Sequence, residues 1–421
     1  MRSFFRKALD IFWKIVVLTF LAFCWMPGGS DWARAGGLPQ AEKDGLQLLL
    51  NQGKWQKALV SYETWADRVG QEDMALLNLI CRALLKDTLK AEDPYDRNYA
   101  AGALVEGGEL DYLANLEKGL KDNDPMVRVS AVQELGEIGN EQVIPTLRRV
   151  LKEDEDLVRF YATQSLARIK HQDVLPLLQV SLKDNNSMLR SWAAQGLGET
   201  QNQLAIPPLE ERLNDPEYLV KLTVWAALVK LGREKYLESI KKALNESEDT
   251  QVRDRASGLL GEIDELSIIP LLKKAFETEK DPLVKLTMAG SLGKLGDSTG
   301  LTHLEESLES PNGLIKVIVV KVLGRIKQNY SLPLLREAWK DKDPFVRTYV
   351  IISLGELQQD SCVPILLRAL KDPDAGVRMA AAQALGRYPT PQAIKGLRQV
   401  LKDPEVKVFA ARSLRKIRLK K

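Results

Sequence analysis

The side chains with the clearest chemical potential in this chain are basic, and they recur at a fixed interval. Arg97, Arg128, Arg159 and Arg190 are 31 residues apart. Eleven cations in a line could hold an extended anion, which would make the register a binding track. Steps of 31 or 32, with a last step of 29, extend the register through Lys221, Arg253, Lys285, Lys316, Arg347, Arg378 and Lys407.

The place of these cations within each unit favours a structural role instead. Each is followed at the seventh position by leucine, and in the first four units at the third position by alanine. On a helix these positions put the basic residue at the border of the core rather than on the open face. We therefore predict that each cation pairs with the acid-rich loop nearby, as at Asp122 and Asp124 or at Asp341 and Asp343.

The residue types needed for catalysis or for metal binding are sparse. The chain has two histidines, His171 and His303, more than a hundred positions apart, and no nucleophile or phosphate-loop motif. Cys81 and Cys362 are 281 positions apart, so we expect two buried small side chains rather than a disulfide. The sequence predicts no catalytic site, no metal site and no cofactor.

The elements that carry the register are pairs of helices. In residues 121–151, Asp124-Pro125 favours a helix start, and Val127, Ala131 and Leu135 form an apolar stripe. Gly139 favours a stop, and Ile144-Pro145 begins a second helix. Asp-Pro starts recur at 93–94, 215–216, 281–282, 343–344, 372–373 and 403–404, and second-helix prolines recur as Pro176, Pro207, Pro270, Pro333 and Pro364.

These units carry a family resemblance. The pattern V-R-x-x-A-x-x-x-L-G-x-I followed by I-P-x-L, clear in Val127–Ile138, Val252–Ile263 and Val346–Leu357, resembles the short HEAT repeat found in phycobilisome lyases. The resemblance implies an all-α, right-handed α-solenoid of about eleven helical-hairpin repeats over residues 91–421. It also implies an alternative function, a bilin lyase or isomerase acting on phycobiliproteins, and nothing else in the sequence suggests that activity.

The two N-terminal segments differ from the array. Residues 36–90 leave the register, and Gly53–Tyr62 resembles the middle of a tetratricopeptide repeat. The alternative, which we favour, is a helical cap that covers the exposed face of the first repeat. Residues 1–35 combine basic residues, the apolar run 15–26 and an A-x-A site, which is the pattern of a signal peptide. An uncleaved anchor at residues 11–26 is the alternative. The expected location is therefore the periplasm or cell envelope, with membrane contact only through that segment.

Charge limits the class of partner. Residues 1–35 hold five basic and two acidic groups, so the rest of the chain is close to neutral, which argues against a nucleic-acid clamp. The C-terminal basic run is interpreted as a solvated last helix and tail, or alternatively as an anionic-surface contact. That run contains Arg412, Arg415, Lys416, Arg418, Lys420 and Lys421.

A helical wheel locates the surface most suited to binding. With the register cation as zero, positions +1, +2, +5 and +9 point away from the core, and in HEAT arrays this face resembles the one that lines the concave side. Aromatic and amide side chains occupy it in four consecutive units, which suits a protein or peptide partner. The alternative is that the rings only pack between adjacent helices. The candidate residues are Tyr99, Gln133, Phe160, Tyr161, Gln164, Trp192 and Gln195.

The recurring glycine at position +8 has a structural explanation. It falls inside the predicted first helix, where a missing side chain lets the next repeat approach closely. We therefore expect helix contacts rather than a phosphate loop at Gly136, Gly198, Gly261, Gly293, Gly324, Gly355 and Gly386.

Overall fold

The computed structural model describes residues 38–153, 155–263, 265–326 and 330–419. The signal-peptide prediction for residues 1–35 and the alternative anchor at 11–26 lie outside the described residues. The chain divides into two compact units, residues 1–80 and 81–421. No helix among the described residues is both long and apolar enough to cross a membrane.

The first unit is helical where it is described. It contains α1 (Gln40–Asn51), α2 (Trp55–Val69) and the beginning of α3 (Met74–Thr88). Tyr62 is buried, and its hydroxyl donates to the Glu72 carboxylate at 2.9 Å and accepts from the Asp73 amide at 2.8 Å. The division between the units falls within α3, ten residues before the change of register at residue 90.

The second unit is a series of helix pairs without strands in its described part. The first helix of each pair carries the basic register, and these helices are α4 (Pro94–Glu106), α6 (Pro125–Ile138), α8 (Asp156–Arg168), α10 (Ser187–Glu199), α12 (Tyr218–Lys230), α14 (Thr250–Leu260), α16 (Pro282–Lys294), α18 (Gly313–Ile326), α20 (Pro344–Leu357), α22 (Ala375–Leu385) and α24 (Lys407–Leu419). The second helices are α5 (Leu113–Gly119), α7 (Ile144–Glu153), α9 (Val174–Ser181), α11 (Ile206–Glu210), α13 (Leu237–Glu246), α15 (Ile269–Thr278), α17 (Leu301–Leu308), α19 (Ser331–Ala338), α21 (Val363–Ala369) and α23 (Pro391–Gln399). This is the predicted α-solenoid.

Packing places the first helices on the inner side of the curve. Each first helix packs on the first helix of the next repeat, and each second helix packs on the first helix that follows it and in most repeats also on the one before it. Consecutive second helices touch one another much less. Since the helices on the concave side of a solenoid are the more closely spaced, the helices of the basic register line the concave face.

Helix starts depend on which loop position an aspartate occupies. Asp93, Asp124, Asp281 and Asp343 stand four residues before the register cation, and each accepts a hydrogen bond from a backbone N–H of the first turn. Helix starts at these Asp-Pro pairs are confirmed.

The predicted starts at 215–216, 372–373 and 403–404 are wrong by two to three residues. The helices there begin at Tyr218, Ala375 and Lys407. Asp215 and Asp372 stand six residues before the cation, so their prolines lie in the loop, and their carboxylates bind an arginine of the preceding repeat. Asp403 caps a turn that precedes α24 by accepting from the Glu405 amide.

The glycines at position +8 allow close approach between repeats, as predicted. A Cβ added to Gly324 would lie 2.7 Å from the Ser353 Cβ and 3.0 Å from its Cα. Because the helices are this close, the Ser353 hydroxyl donates to the Val320 carbonyl at 3.0 Å. Ser165 and Ser291 make the equivalent hydrogen bond in their own repeats. Glycine and a small residue therefore join successive first helices along the inner side.

Candidate functional site

Most of the register cations form a ladder that joins neighbouring repeats, whereas Lys221 and Lys285 lie over the rings of Tyr218 and Phe276. Arg190 donates through Nη1 to the carbonyls of Asp184 and Asn185 at 2.9 Å, and through Nε and Nη2 to both carboxylate oxygens of Asp215 at 2.8 Å. Arg190 and Asp215 are only 6% and 3% exposed. The same arrangement, with an acid 25 or 26 residues ahead, joins Arg253 to Glu279, Lys316 to Asp341, Arg347 to Asp372 and Arg378 to Asp403.

This ladder supports the structural interpretation of the register with one correction. Most of the arginines donate to backbone carbonyls of their own loop, but their carboxylate partners belong to the loop of the next repeat. Arg159 is the exception that bears out the prediction, because it pairs with Asp156 of its own unit as well as with Asp184 of the next loop. Hydrogen bonds from Arg253 lower the pKa of the Glu279 carboxyl to about 2. Since these guanidinium groups are engaged on both sides, the ladder is a connection between repeats rather than a track for a bound anion.

The array is closed, because the first helix of the last repeat packs against the first helix of the first repeat. Helix α24 contacts α4, and the rings of Tyr99 and Phe409 lie with their centroids 4.4 Å apart. The Gln383 amide on α22 also donates to the Tyr99 hydroxyl at 3.4 Å. We call this contact the seam, defined by Tyr99, Glu106, Glu109 and Glu134 on one side and Phe409, Arg412, Arg415 and Lys416 on the other.

Buried ion pairs hold the seam together. Arg412 donates through Nε to Glu106 at 2.9 Å and through Nη1 to Glu134 at 2.7 Å, and its guanidinium carbon lies 4.6 Å from the centroid of the Tyr99 ring. Arg415 donates to Glu109 at 3.0 Å. Arg412 is 4% exposed and Glu134 is 8% exposed. Burial raises the pKa of the Glu134 carboxyl to about 7, although Arg412 acts against this shift.

Two glycines of the first repeat provide the room that the seam requires. A Cβ added to Gly102 would lie 2.9 Å from the Glu134 carboxyl carbon, and one added to Gly107 would lie 2.8 Å from the Arg415 guanidinium carbon. Gly102 occupies position +5, where the next three repeats carry glutamine. The missing side chain lets the carboxylate of Glu134 pass across α4 to Arg412.

The seam corrects two sequence-based expectations. Within the C-terminal basic run, Arg412 and Arg415 are not solvated but buried against the first repeat, whereas Arg418 is exposed and Lys420 and Lys421 lie outside the described residues. Tyr99, predicted as a candidate binding residue of the concave face, is half-buried and faces Phe409 within the seam. Periodicity could not reveal this contact, and the usable signal at position +5 is the single arginine, Arg412, because glycine also occurs there as Gly258 and Gly290.

The other six predicted residues lie together on three consecutive first helices. Gln133 on α6 is exposed, whereas the remaining five are half-buried. The Phe160 ring stands edge-on to Trp192 of the next repeat, with centroids 5.9 Å apart, and edge-on to Tyr161 at 5.2 Å. The rings therefore pack between α8 and α10 and keep part of their surface open. The other half-buried members of the set are Gln164 and Gln195.

Sequence reasoning missed a column of exposed apolar side chains two residues before the register cation. These side chains are between 43% and 62% exposed. Position −2 precedes position +2 by one helical turn, so both lie on the concave face. The spacing of these residues, 31 positions in the first four repeats, is a usable signal for the column. We call this column the apolar edge, and it comprises Tyr95, Met126, Leu157, Met188, Leu283, Leu314 and Phe345.

Chemistry-bearing side chains elsewhere are isolated. Within the described ranges no group of three or more His, Cys, Asp and Glu residues is arranged to hold a metal ion. Cys81 and Cys362 are both buried free thiols. His303 lies edge-on to Phe276 at 5.8 Å, and burial lowers the pKa of its imidazole.

The chain is similar to solved structures, but no curated protein matches it. The chain is similar to human deoxyhypusine hydroxylase in complex with glycerol, at 21% identity over 68% of this chain and 98% of that one, with a TM-score of 0.33. It is also similar to the complex of CpcE and CpcF of phycocyanin lyase from Nostoc sp. PCC7120, at 23% identity over 56% of this chain and 93% of that one, with a TM-score of 0.38. Similarity at this level carries no information about activity.

One family model matches most of the chain and identifies its family. The model described as HEAT repeats matches residues 82–167, 149–229, 184–257, 237–316, 303–361 and 346–418. These segments overlap and together span most of the chain, in the same part that forms the helix pairs and the ladder. The chain therefore belongs to the HEAT-repeat family and is built as a HEAT-repeat scaffold.

Proposed function

We propose that this chain is a non-enzymatic scaffold or assembly factor of the cell envelope that binds a protein or peptide along the concave face of its HEAT array. The observation that carries the proposal is the cluster of half-exposed Phe160, Tyr161 and Trp192 with amides beside them on α6, α8 and α10. Aromatic rings of this kind supply a large contact area and lose little conformational freedom on binding.

The geometry supports passive recognition. The edge-on contacts between Phe160, Tyr161 and Trp192 fix the rings before a partner arrives. Tyr161 also packs against the hydrophobic core. A preformed surface binds more tightly than a mobile one because less entropy is lost on association. The amides of Gln133, Gln164 and Gln195 can orient a polypeptide backbone by donating to its carbonyls and accepting from its N–H groups.

A site-specific crosslinking experiment tests this proposal. A photoreactive side chain at Gln133, on the concave face, is expected to capture a partner in cells, whereas one at the exposed Arg148 on α7 is not. Trp192→Ala should abolish the capture, and Trp225→Ala, which removes the half-buried Trp of α12 that lies edge-on to Tyr218, is the matched control. Equal capture from both positions, or capture that survives Trp192→Ala, would contradict binding on this face.

The same variant separates binding from packing. If Trp192 serves mainly as a wedge between α8 and α10, Trp192→Ala should lower the free energy of unfolding by about 3–5 kcal/mol. A binding residue should lose partner affinity with a nearly unchanged melting curve. The envelope location is tested separately, by N-terminal sequencing of the protein recovered from fractionated cells. A spectral shift on mixing the purified chain with a bilin would instead favour the lyase-type alternative.

A further inference from the structure

The apolar edge widens the candidate site in the third and fourth repeats. Leu157 stands one helical turn before Tyr161, and Met188 one turn before Trp192, so each pair lies on the same face of its helix. Leu157 and Met188 are 44% and 59% exposed. The strip of apolar side chains is therefore two residues wide here, and the methionine at Met188, like Met126 in the second repeat, suits an adaptable contact.

Carboxylates lie on both sides of this strip in the first four repeats. At the N-terminal ends of the first helices, Asp93, Asp124 and Glu155 are exposed at position −4. At the C-terminal ends, Glu137 and Glu199 are exposed at position +9. The one cation that these two columns contain in the first four repeats is Arg168, 3.9 Å from Glu137, and the fourth repeat has Asn186 at position −4.

The opposite part of the array has the same apolar edge and the same acidic position −4, with Asp281, Asp343 and Asp374, but it differs in charge at position +9. Leu314 and Phe345 are 62% and 53% exposed at position −2. Position +9 of repeats seven to ten, however, carries Lys294, Arg325 and Arg387 against a single acid, Glu356, and these four line a cleft of about 480 Å³. The two parts of the array therefore share the apolar surface and differ in the charge at position +9.

We propose that the occupant of the concave face in the first four repeats is a basic, apolar polypeptide segment, in which lysine or arginine alternates with apolar side chains. The proposal rests on the proposed function and names the class of its partner. Apolar side chains of the segment would cover Leu157, Tyr161, Met188 and Trp192, and its cations would reach the carboxylates at either edge. Charges arranged in this way steer association and select the partner by sign.

The dimensions of the strip set the length of the segment. Neighbouring helices are about 8–10 Å apart, so four repeats extend over about 30 Å. A helix of about 20 residues or an extended chain of about nine residues covers this distance. A probe of this length is therefore sufficient to engage the whole strip.

The test uses three synthetic 20-residue peptides with the purified chain at low salt. The first places leucine on one helical face and lysine on the other, the second replaces lysine with glutamate, and the third replaces leucine with serine. Fluorescence anisotropy should show binding of the first peptide only, weakening as salt is added. The double variant Leu157→Ser and Met188→Ser should weaken binding at least tenfold, whereas the control Leu314→Ser and Phe345→Ser should leave it unchanged. All four residues are exposed, so both variants should fold.

The outcomes separate this proposal from the one on which it rests. Equal loss of binding in the two double variants, or equal binding of the lysine and glutamate peptides, would overturn the assignment of a basic partner. If no peptide binds while the crosslinker at Gln133 still captures a partner, the concave site stands and the partner class is refuted. If the crosslinker at Gln133 captures nothing, both proposals fail.

Discussion

Arg412→Ala should open the seam while leaving the rest of the array folded. The variant removes the cation that pairs with Glu106 and Glu134 and that lies against the Tyr99 ring. Helix α24 keeps its contact with α22 through the close approach of Ser413 to Gly386. The loss is therefore concentrated where the last repeat meets the first.

The magnitude follows from burial. Removing one partner of a buried ion pair costs about 3–5 kcal/mol because the other charge stays buried without compensation. Glu134 is 8% exposed and would be that charge. Its pKa, already raised to about 7 by burial, should rise further without Arg412, so proton uptake can relieve part of the cost. We therefore expect a larger penalty at pH 8 than at pH 5.5.

Hydrogen–deuterium exchange measures the opening directly. A seam weakened by about 3 kcal/mol opens more than 100-fold more often, since each 1.4 kcal/mol is tenfold. Amides of α4 and α24 should exchange correspondingly faster in Arg412→Ala, and those of α12 should not change. Glu134→Gln is the conservative comparison, because its amide oxygen can still accept from Arg412 without adding a buried charge.

The matched control is Arg168→Ala, which removes an exposed cation 3.9 Å from Glu137. A surface pair of this kind contributes about 0–1 kcal/mol. If Arg412→Ala leaves the exchange of α4 and α24 unchanged and destabilises the chain no more than the control does, the seam is not a stabilising contact and the closure argument is refuted.

Three other predictions concern the repeats and their pH dependence. The folded pKa of Glu134 is raised from 4.5 to about 7, so its contribution to stability should be fully present below pH 4.5 and lost as pH rises through 7. Urea unfolding at several pH values should show this trend, and Glu134→Gln should flatten it. Arg190→Ala should cost about 3–5 kcal/mol in the same assay because it leaves Asp215, 3% exposed, unpaired, and a loss below 1 kcal/mol would exclude a stabilising ladder. Gly324→Ala should cost about 1–3 kcal/mol, since its Cβ would lie 2.7 Å from a neighbouring serine, whereas Gly258→Ala, with its nearest atom at 3.5 Å, should be neutral or stabilising in a thermal melt.

Much of the array was predictable because its information is local. Apolar spacing, Asp at the N-cap and proline in the first turn define each helix within its own unit, and the register cation and the small residues act only between neighbours. At residues 215–216 and 372–373 this local information predicted the helix start wrongly. An aspartate four residues before the register cation caps the helix, whereas one that lies six residues before it binds an arginine 25 positions earlier, in the preceding repeat.

The candidate site was predictable in part for the same reason. Helical geometry placed Phe160, Tyr161 and Trp192 on one face, and the same geometry applied before the cation would have identified Leu157 and Met188. The same geometry does not predict which of these side chains stay exposed, because their exposure depends on the surface that neighbouring helices leave uncovered.

The sequence by itself therefore determined the repeat and the face that the helices turn inward. Only the tertiary structure decided that the array closes and that Tyr99 lies in its seam. Tyr99 and Phe409 are 310 positions apart, and their contact depends on the summed rotation of eleven repeats. A small rotation at each step accumulates over the array, so no single repeat contains the information that its two ends meet.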